Sequence, residues 1–463
     1  MVPEVRSSEL QVQVVNRRLV KASDHHKEPR ADDVITVSNL DLIPNTYQAS
    51  VLWIYPKPLT GDFGAVVAAF EAGLPSLLDH FFPLTGRIVT NPRSRLPEIH
   101  CRNQGAEFVI GEAGVSLQSL DFNLAEESLK RILVPYADAI PLSVQLVSFS
   151  CGGFSVAWSS NNLVLDGNSA MRLVRTWSEL ARSGTIAAVG APSYDHSALR
   201  PRDPPSYSAA LDEMFTPFDD RHLVNVLTAK DSVVERLYYI EAQDIATLQA
   251  MASSEGQRAS RVQAVSAYLW KTLAAVVGAS KLSPKATSCR MGWWVDARWR
   301  VTSPELRAAM SNYVGNVTPY VLGEAAVETI RQKTMADVAA MVRDAITSVD
   351  YDERVQELVD WVEEHKTQNV VETATVGLVS PTLSQRVWAS FPLDTDFGFG
   401  HAALAMPTWA SEGLCSANLV VTTHPGGNGS WLISADLWPR LAAALESDEL
   451  RIFKPLTAEY LGV

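Results

Sequence analysis

The chain has 463 residues, 47% hydrophobic and 20% charged, with 39 Lys plus Arg against 52 Asp plus Glu and a formal net charge of -13. That length exceeds what one hydrophobic core ordinarily supports, so two domains are expected, each able to bury a sizeable core. The acidic balance argues against a general affinity for nucleic acid or anionic membrane, which needs concentrated Lys and Arg, and no repeat or low-complexity tract indicates a solenoid or a disordered scaffold.

No stretch approaches the eighteen consecutive apolar residues of a membrane span, and the opening MVPEVRSSELQVQVV lacks the apolar block of a secretory signal. The expectation is a cytosolic protein with neither membrane nor nucleic-acid partner. Cys101, Cys151, Cys289 and Cys415 are scattered without metal-ligand spacing, so reduced, mostly buried thiols and no metal site are expected.

Along the chain, Phe63, Val66, Val67, Phe70, Leu74, Leu77, Leu78 and Phe81 recur at three-and-four spacing and predict a helix over 63–81, kinked or divided at Pro75. Over 142–158 the alternation of Leu142, Val144 and Leu146, a Cys151-Gly152-Gly153 turn, and Phe154, Val156 and Trp158 predict a strand pair. The loop Ser159-Ser160-Asn161-Asn162-Leu163-Val164-Leu165-Asp166-Gly167 follows. A helix comes next, with Asn168 or Ser169 suited to cap it, Met171, Val174, Trp177 and Leu180 on its buried side, and Gly184 to end it. Pro192, Pro201, Pro204 and Pro205 mark an aperiodic crossover. The predicted division is a first domain over 1–190, a crossover over 191–215 and a second domain over 216–463, each an α/β mixture of sheet and helices.

On its own the loop ending in Asp166-Gly167 reads equally well as an ordinary connection, with Asp166 satisfying local backbone groups, or as a polar turn presented to a cleft. In series with four other strings it carries more. Leu77-Leu78-Asp79-His80-Phe81-Phe82-Pro83-Leu84-Thr85-Gly86-Arg87, Val295-Asp296-Ala297-Arg298-Trp299-Arg300, Tyr313-Val314-Gly315-Asn316 and Asp396-Phe397-Gly398-Phe399-Gly400 occur in an order and at spacings that resemble the plant BAHD acyltransferases. There the loop matches the HxxxDG motif, with Asn162 in the histidine position, and Asp396–Gly400 matches DFGWG, with Phe399 for tryptophan.

The resemblance implies two domains similar to chloramphenicol acetyltransferase with a channel at their interface. It implies a monomer without bound cofactor or metal, taking acyl-CoA as co-substrate and a small-molecule alcohol or amine as acceptor. The expected acyl groups are hydroxycinnamoyl or other aromatic ones, in plant specialised metabolism. It assigns catalytic positions to Asn162 and Asp166, the latter mainly structural through a pair with Arg298 across the interface. Gly167, Asp396, Gly398 and Gly400 are expected to be structural. The stretch Arg258-Ala259-Ser260-Arg261 resembles the family's segment near the CoA phosphates, so Ser260 and Arg261 are candidate donor-binding residues; a capped surface helix with solvated arginines accounts for them equally. Gly398-x-Gly400-x-x-Ala403 also imitates a dinucleotide fingerprint, but lacks the preceding strand and following βαβ unit that such a site needs.

Two departures matter chemically. A carboxamide cannot take a proton, so Asn162 removes the family's general base, a contribution of about 10²–10⁴-fold, or about 3–5 kcal/mol of barrier. Arg386-Val387-Trp388 replaces the family's hydroxyl residue beside tryptophan, which helps to stabilise the tetrahedral intermediate. Proximity and polarisation of the thioester need no histidine, and an amine acceptor needs less help than an alcohol. The expected function is therefore acyl transfer with altered or impaired chemistry; a non-catalytic acyl-CoA-binding accessory protein and a repurposed lyase or cyclase are the rivals.

Overall fold

The computed structural model describes residues 10–23, 34–43, 48–58, 61–186, 191–217, 233–280, 287–376, 380–394, 396–409 and 417–463. Two mixed sheets organise them. The first runs in the spatial order Val12–Val20, Ala106–Ala113, Leu142–Phe149, Phe154–Asn161, Gln48–Tyr55 and Leu404–Trp409, antiparallel except between its second and third strands. The second runs Tyr320–Ala326, Ser288–Trp294, Thr382–Val387, Ala417–Thr423, Trp431–Leu437, Val234–Ile240 and Lys454–Pro455, with parallel pairs on both sides of Thr382–Val387.

The alternation over 142–158 folds as expected. Val144 lies opposite Trp158 and Leu146 opposite Val156, all in one core. In the central strand Gln48–Tyr55, Val51, Trp53 and Tyr55 enter that core, while Leu52 and Ile54 face a separate cluster with Leu237 and Leu432 of the second sheet. A strand buried on both faces reads as a continuous apolar run, and that second cluster is where the sheets meet.

Helices Phe63–His80 and Gly167–Ser183 cover the outer face of the first sheet. Pro75 does not divide the first of them: the helix continues through it, and the Pro75 carbonyl accepts from the backbone N–H of Ser23 at 3.3 Å. Helix Arg261–Ala279 lies against the second sheet, where its buried Ala264, Leu269, Trp270 and Leu273 join the larger core. It is the one described helix apolar and long enough by composition to cross a membrane, and packing against sheet and neighbouring helices accounts for that composition.

Two features modify the linear division at 190 and 216. The crossover is strapped down: Arg202 pairs with Asp360 and Glu353, and the Tyr207 hydroxyl donates to Glu364 at 2.6 Å, all on helix Tyr351–His365. In addition, Leu404–Trp409, placed in the second domain by sequence, returns to the first sheet beside Gln48–Tyr55. The chain thus passes between the sheets again after the crossover, a non-local pairing that no short-range pattern encodes.

Where the two outer helices cross, a Cβ at Gly73 would come within 2.5 Å of the Trp177 ring, which is fully buried and lies 4.5 Å from the Phe70 ring centroid. Gly73→Ala gains about 1 kcal/mol of helix propensity but overpacks a ring that cannot retreat, at a cost of about 1–3 kcal/mol. The expected outcome is net destabilisation, read as a lower urea midpoint; an unchanged or raised midpoint would contradict this packing.

Candidate active site

The loop after strand Phe154–Asn161 is fixed from within. The Asn161 side-chain oxygen accepts from the Leu163 N–H at 2.9 Å, and Leu163, Val164 and Leu165 are buried in the first core. Asp166, rather than Asn168 or Ser169, caps the next helix: one carboxylate oxygen accepts from the Ser169 N–H at 2.9 Å and its hydroxyl at 2.8 Å. A carboxylate at a helix N-terminus satisfies an orphan donor and meets the positive end of the dipole.

The other oxygen of Asp166 faces the second domain. It accepts from Arg298 Nη1 at 2.7 Å, the Val317 N–H at 3.2 Å and the Thr318 hydroxyl at 3.2 Å. The guanidinium also donates to the Gly315 carbonyl at 2.7 Å and to Asp296 at 3.1 Å. Both partners are almost wholly buried, Asp166 at 4% exposure and Arg298 at 6%. Burial alone would raise the Asp166 carboxyl, but the Arg298 charge and the hydrogen bonds outweigh it and hold the group below its ordinary 3.8. Asp296 goes the other way, raised by burial and by neighbouring Asp166 against the pull of Arg298.

Beside this pair lies a cavity of about 1270 Å³ lined from both domains. Asn162 lines it, half-buried, its backbone carbonyl held by Asn316 Nδ2 at 2.8 Å; among the described residues its side-chain amide has no hydrogen-bond partner. Asn316 is anchored in turn by Asp41, which accepts from its backbone N–H at 2.6 Å and its side chain at 3.0 Å. Asp41 is a residue the motifs did not single out; its only signal in sequence is the Ser38-x-x-Asp41 spacing of a capping box. Gly167 is required by a neighbour: a Cβ there would meet the Trp388 ring at 2.8 Å.

Ser260 and Arg261 line the same cavity. Ser260 caps helix Arg261–Ala279 in a reciprocal box with Gln263, and Arg261 donates to the Gly429 carbonyl at 3.3 Å. A nineteen-residue helix thus directs its N-terminus and a guanidinium toward the cavity, an arrangement suited to phosphate. Asp396, Gly398 and Gly400 do not line it. The Asp396 carboxylate accepts from the Gly398 N–H at 2.7 Å, and Gly398 and Gly400 adopt φ of 90° and 100° in a turn leading to strand Leu404–Trp409. No helix follows that turn, so the dinucleotide reading falls.

None of the described histidines lines the cavity. His401 is exposed and bonded to Asp394 at 2.8 Å, which raises its pKa, and His80 ends helix Phe63–His80 at the surface. Cys101 and Cys289 are buried, with the Cys289 thiol pushed up to about 12 by burial; Cys151 is exposed and Cys415 lies outside the described residues. Among the described residues no cluster of His, Cys, Asp or Glu could hold a metal.

Comparison with known proteins decides the family. The model described as Transferase family matches residues 10–449. The chain belongs to this family. These are the BAHD acyltransferases of plant specialised metabolism that its motifs resemble, acyl-CoA-dependent enzymes with acyl-CoA as co-substrate. Among similar relatives, putrescine hydroxycinnamoyltransferase 1 of Oryza sativa subsp. japonica is 28% identical over 85% of this chain and 88% of its own length. Omega-hydroxypalmitate O-feruloyl transferase of Arabidopsis thaliana is 27% identical over 75% and 74%. The fold is similar to crystal structures of vinorine synthase, with TM-score 0.72 and 21% identity over 96% and 99% of the chains, and of F. graminearum TRI101 complexed with coenzyme A and deoxynivalenol, with TM-score 0.75 and 13% identity over 91% and 99%. This BAHD chain therefore has the two-domain acyltransferase fold with a cavity at the domain junction.

Removing one partner of a desolvated pair leaves the other buried and uncompensated, so Asp166→Ala should destabilise the protein by about 3–5 kcal/mol in urea unfolding. Because the folded-state pKa of Asp166 lies below 3.8, its contribution is complete well above that value and is lost as pH falls through the folded pKa. The variant should show a correspondingly flatter loss of stability in that acid window. A variant unfolding at the wild-type midpoint would show that the pair contributes nothing to stability.

Proposed function

We propose that this protein transfers a hydroxycinnamoyl or related aromatic acyl group from acyl-CoA to an amine in preference to an alcohol. One observation carries the choice of acceptor: the cavity contains Asn162 and no described histidine. An alcohol must lose its proton as it attacks, because the oxonium it would otherwise form is too unstable. A neutral amine can attack first, and the ammonium it forms is then acidic enough to pass its proton to a base as weak as a carboxylate, which could not deprotonate an alcohol. The relatives include a protein named for putrescine and several named as N-acyltransferases, which supports the same direction.

The donor would lie with its phosphates at the N-terminus of helix Arg261–Ala279, near Arg261. Its acyl group would lie against the aromatic part of the lining, which includes Trp158, Trp293, Trp388 and Phe391 and suits a planar aromatic ring. Asn162 would donate a hydrogen bond to the thioester oxygen as negative charge develops there. Asp166, engaged with Arg298, holds the loop and takes no proton.

The test is mass spectrometry of purified protein with hydroxycinnamoyl-CoAs and pooled amines and alcohols, alongside Asn162→His. The wild type should release CoA and give amides, whereas the variant should gain alcohol acylation by about 10²-fold. Silence from both, with acyl-CoA binding demonstrated by calorimetry, would replace this reading by that of an acyl-CoA-binding accessory protein.

A further inference from the structure

With a carboxamide at position 162, the proton released during transfer needs another acceptor, and four carboxylates line the cavity: Asp166, Glu179, Asp296 and Glu372. Asp166 is committed to Arg298 and four further donors. Asp296 accepts from Arg298 and, at 2.7 Å, from Asn168. Glu179 faces Arg175 one helical turn away at 3.5 Å.

Glu372 differs in placement and company. It ends the short strand Val370–Glu372, paired with Phe215–Pro217, and is half-buried on the cavity wall. The Trp294 indole lies beside its carboxyl. The Arg386 guanidinium lies 3.6 Å from the Trp294 ring centroid and donates to Asn418 at 3.0 Å. Arg386 also stands two residues before Trp388, whose ring lies against Gly167 at the end of the Asn162 loop. Glu372, Trp294, Arg386 and Trp388 thus all line the cavity on the side that leads to the loop lacking the base. The charged and titratable groups facing it are Arg386 and Tyr320; the adjoining Phe215–Pro217 and Thr373–Val376 bring none.

We propose that Glu372 is the proton acceptor of the transfer reaction, taking the role that Asn162 cannot perform. The assignment rests on the acyl-transfer reading above. Burial holds this carboxyl above the ordinary carboxylate range, with its own backbone, Arg386 and Trp294 offsetting only part of the effect, so it is more basic than a surface glutamate. The amine nitrogen attacks the thioester carbon, a C–N bond forms, and the carbonyl electron pair moves onto oxygen. The ammonium proton passes to the Glu372 carboxylate. When the carbonyl re-forms, the C–S bond breaks, sulfur leaves with the bonding pair and takes the proton from Glu372, giving amide, CoA thiol and the ionised carboxylate again.

The experiment compares wild type, Glu372→Gln and Glu372→Asp in CoA release from p-coumaroyl-CoA with a panel of amines across pH, with acyl-CoA affinity by calorimetry and melting temperature as controls. Glu372→Gln should lower kcat by about 10²-fold or more and remove the part of the acid limb that protonation of the amine itself does not produce, while acyl-CoA affinity changes by less than about twofold. Glu372→Asp should keep part of the rate and shift that limb to lower pH, a change that loss of mere packing would not produce. A Glu372→Gln enzyme within about threefold of wild-type kcat, with the same acid limb, would overturn the assignment and leave the acyltransferase reading standing. A wild type that binds p-coumaroyl-CoA yet releases no CoA with any amine would overturn that reading, and this assignment with it.

Discussion

The contact between Asp166 and Arg298 is what the rest of the site depends on. One carboxylate oxygen completes the first turn of helix Gly167–Ser183 in the first domain; the other receives a guanidinium, a backbone N–H and a hydroxyl from the second. Such a pair gives little net stability over an apolar substitute, because desolvation of both charges offsets most of their attraction. Its consequence is geometric. With both Asp166 oxygens and both terminal nitrogens of Arg298 engaged, the loop from Asn162 to Gly167 has one seat against the second domain, and Asn316 fixes the Asn162 carbonyl while Asp41 fixes Asn316. The position facing the cavity is thus held by groups that do not depend on which side chain occupies it, and an asparagine can stand there without disturbing the fold.

That separation of scaffold from chemistry runs through the cavity. Trp388 keeps its place because Gly167 leaves room for its ring, whereas the neighbouring hydroxyl expected in the family is absent and Arg386 introduces a cation stacked on Trp294. The imidazole and the hydroxyl, the two groups that would handle proton and oxyanion, are both missing, while the domain-bridging ion pair and the aromatic walls persist. On the proposed reading, such a cavity suits a nucleophile that needs little activation and leaves the proton to Glu372, whose Arg386 neighbour is shared with Asn418 and the Trp294 ring.

The sequence carried the local part of this and little of the non-local part. The pairing of Asp166 with Arg298 was legible through family resemblance, and the strand pair over 142–158 through strict alternation of side chains. The helix cap falls on Asp166, two residues before Asn168 and three before Ser169, because its carboxylate accepts from the Ser169 N–H and hydroxyl while Leu163, Val164 and Leu165 anchor the preceding loop in the first core. Pro75 looked like a break, yet the helix continues, buried on one face by Phe70, Leu74, Leu77 and Leu78. Asp41 and Glu372 carried no motif, since each is brought to the site by segments more than a hundred residues away, Asn316 and Phe215–Pro217 respectively.

The return of Leu404–Trp409 to the first sheet explains why the Asp396–Gly400 string matters without touching the cavity. After Thr382–Val387 the chain has to leave the second sheet and lie antiparallel to Gln48–Tyr55, and the left-handed turns at Gly398 and Gly400 are conformations that a Cβ disfavours. Phe397, packed edge-on to Trp53 and Phe70, holds that turn against the first core. The returning strand is the edge of its sheet, so Pro407 within it forfeits no ladder hydrogen bond that a central strand would need, and Pro407 lines the cavity. One boundary of the cavity is therefore set by where this strand docks. A change in the Asp396–Gly400 turn would reach the reacting groups by displacing that wall, through structure alone and across a distance that no direct contact spans.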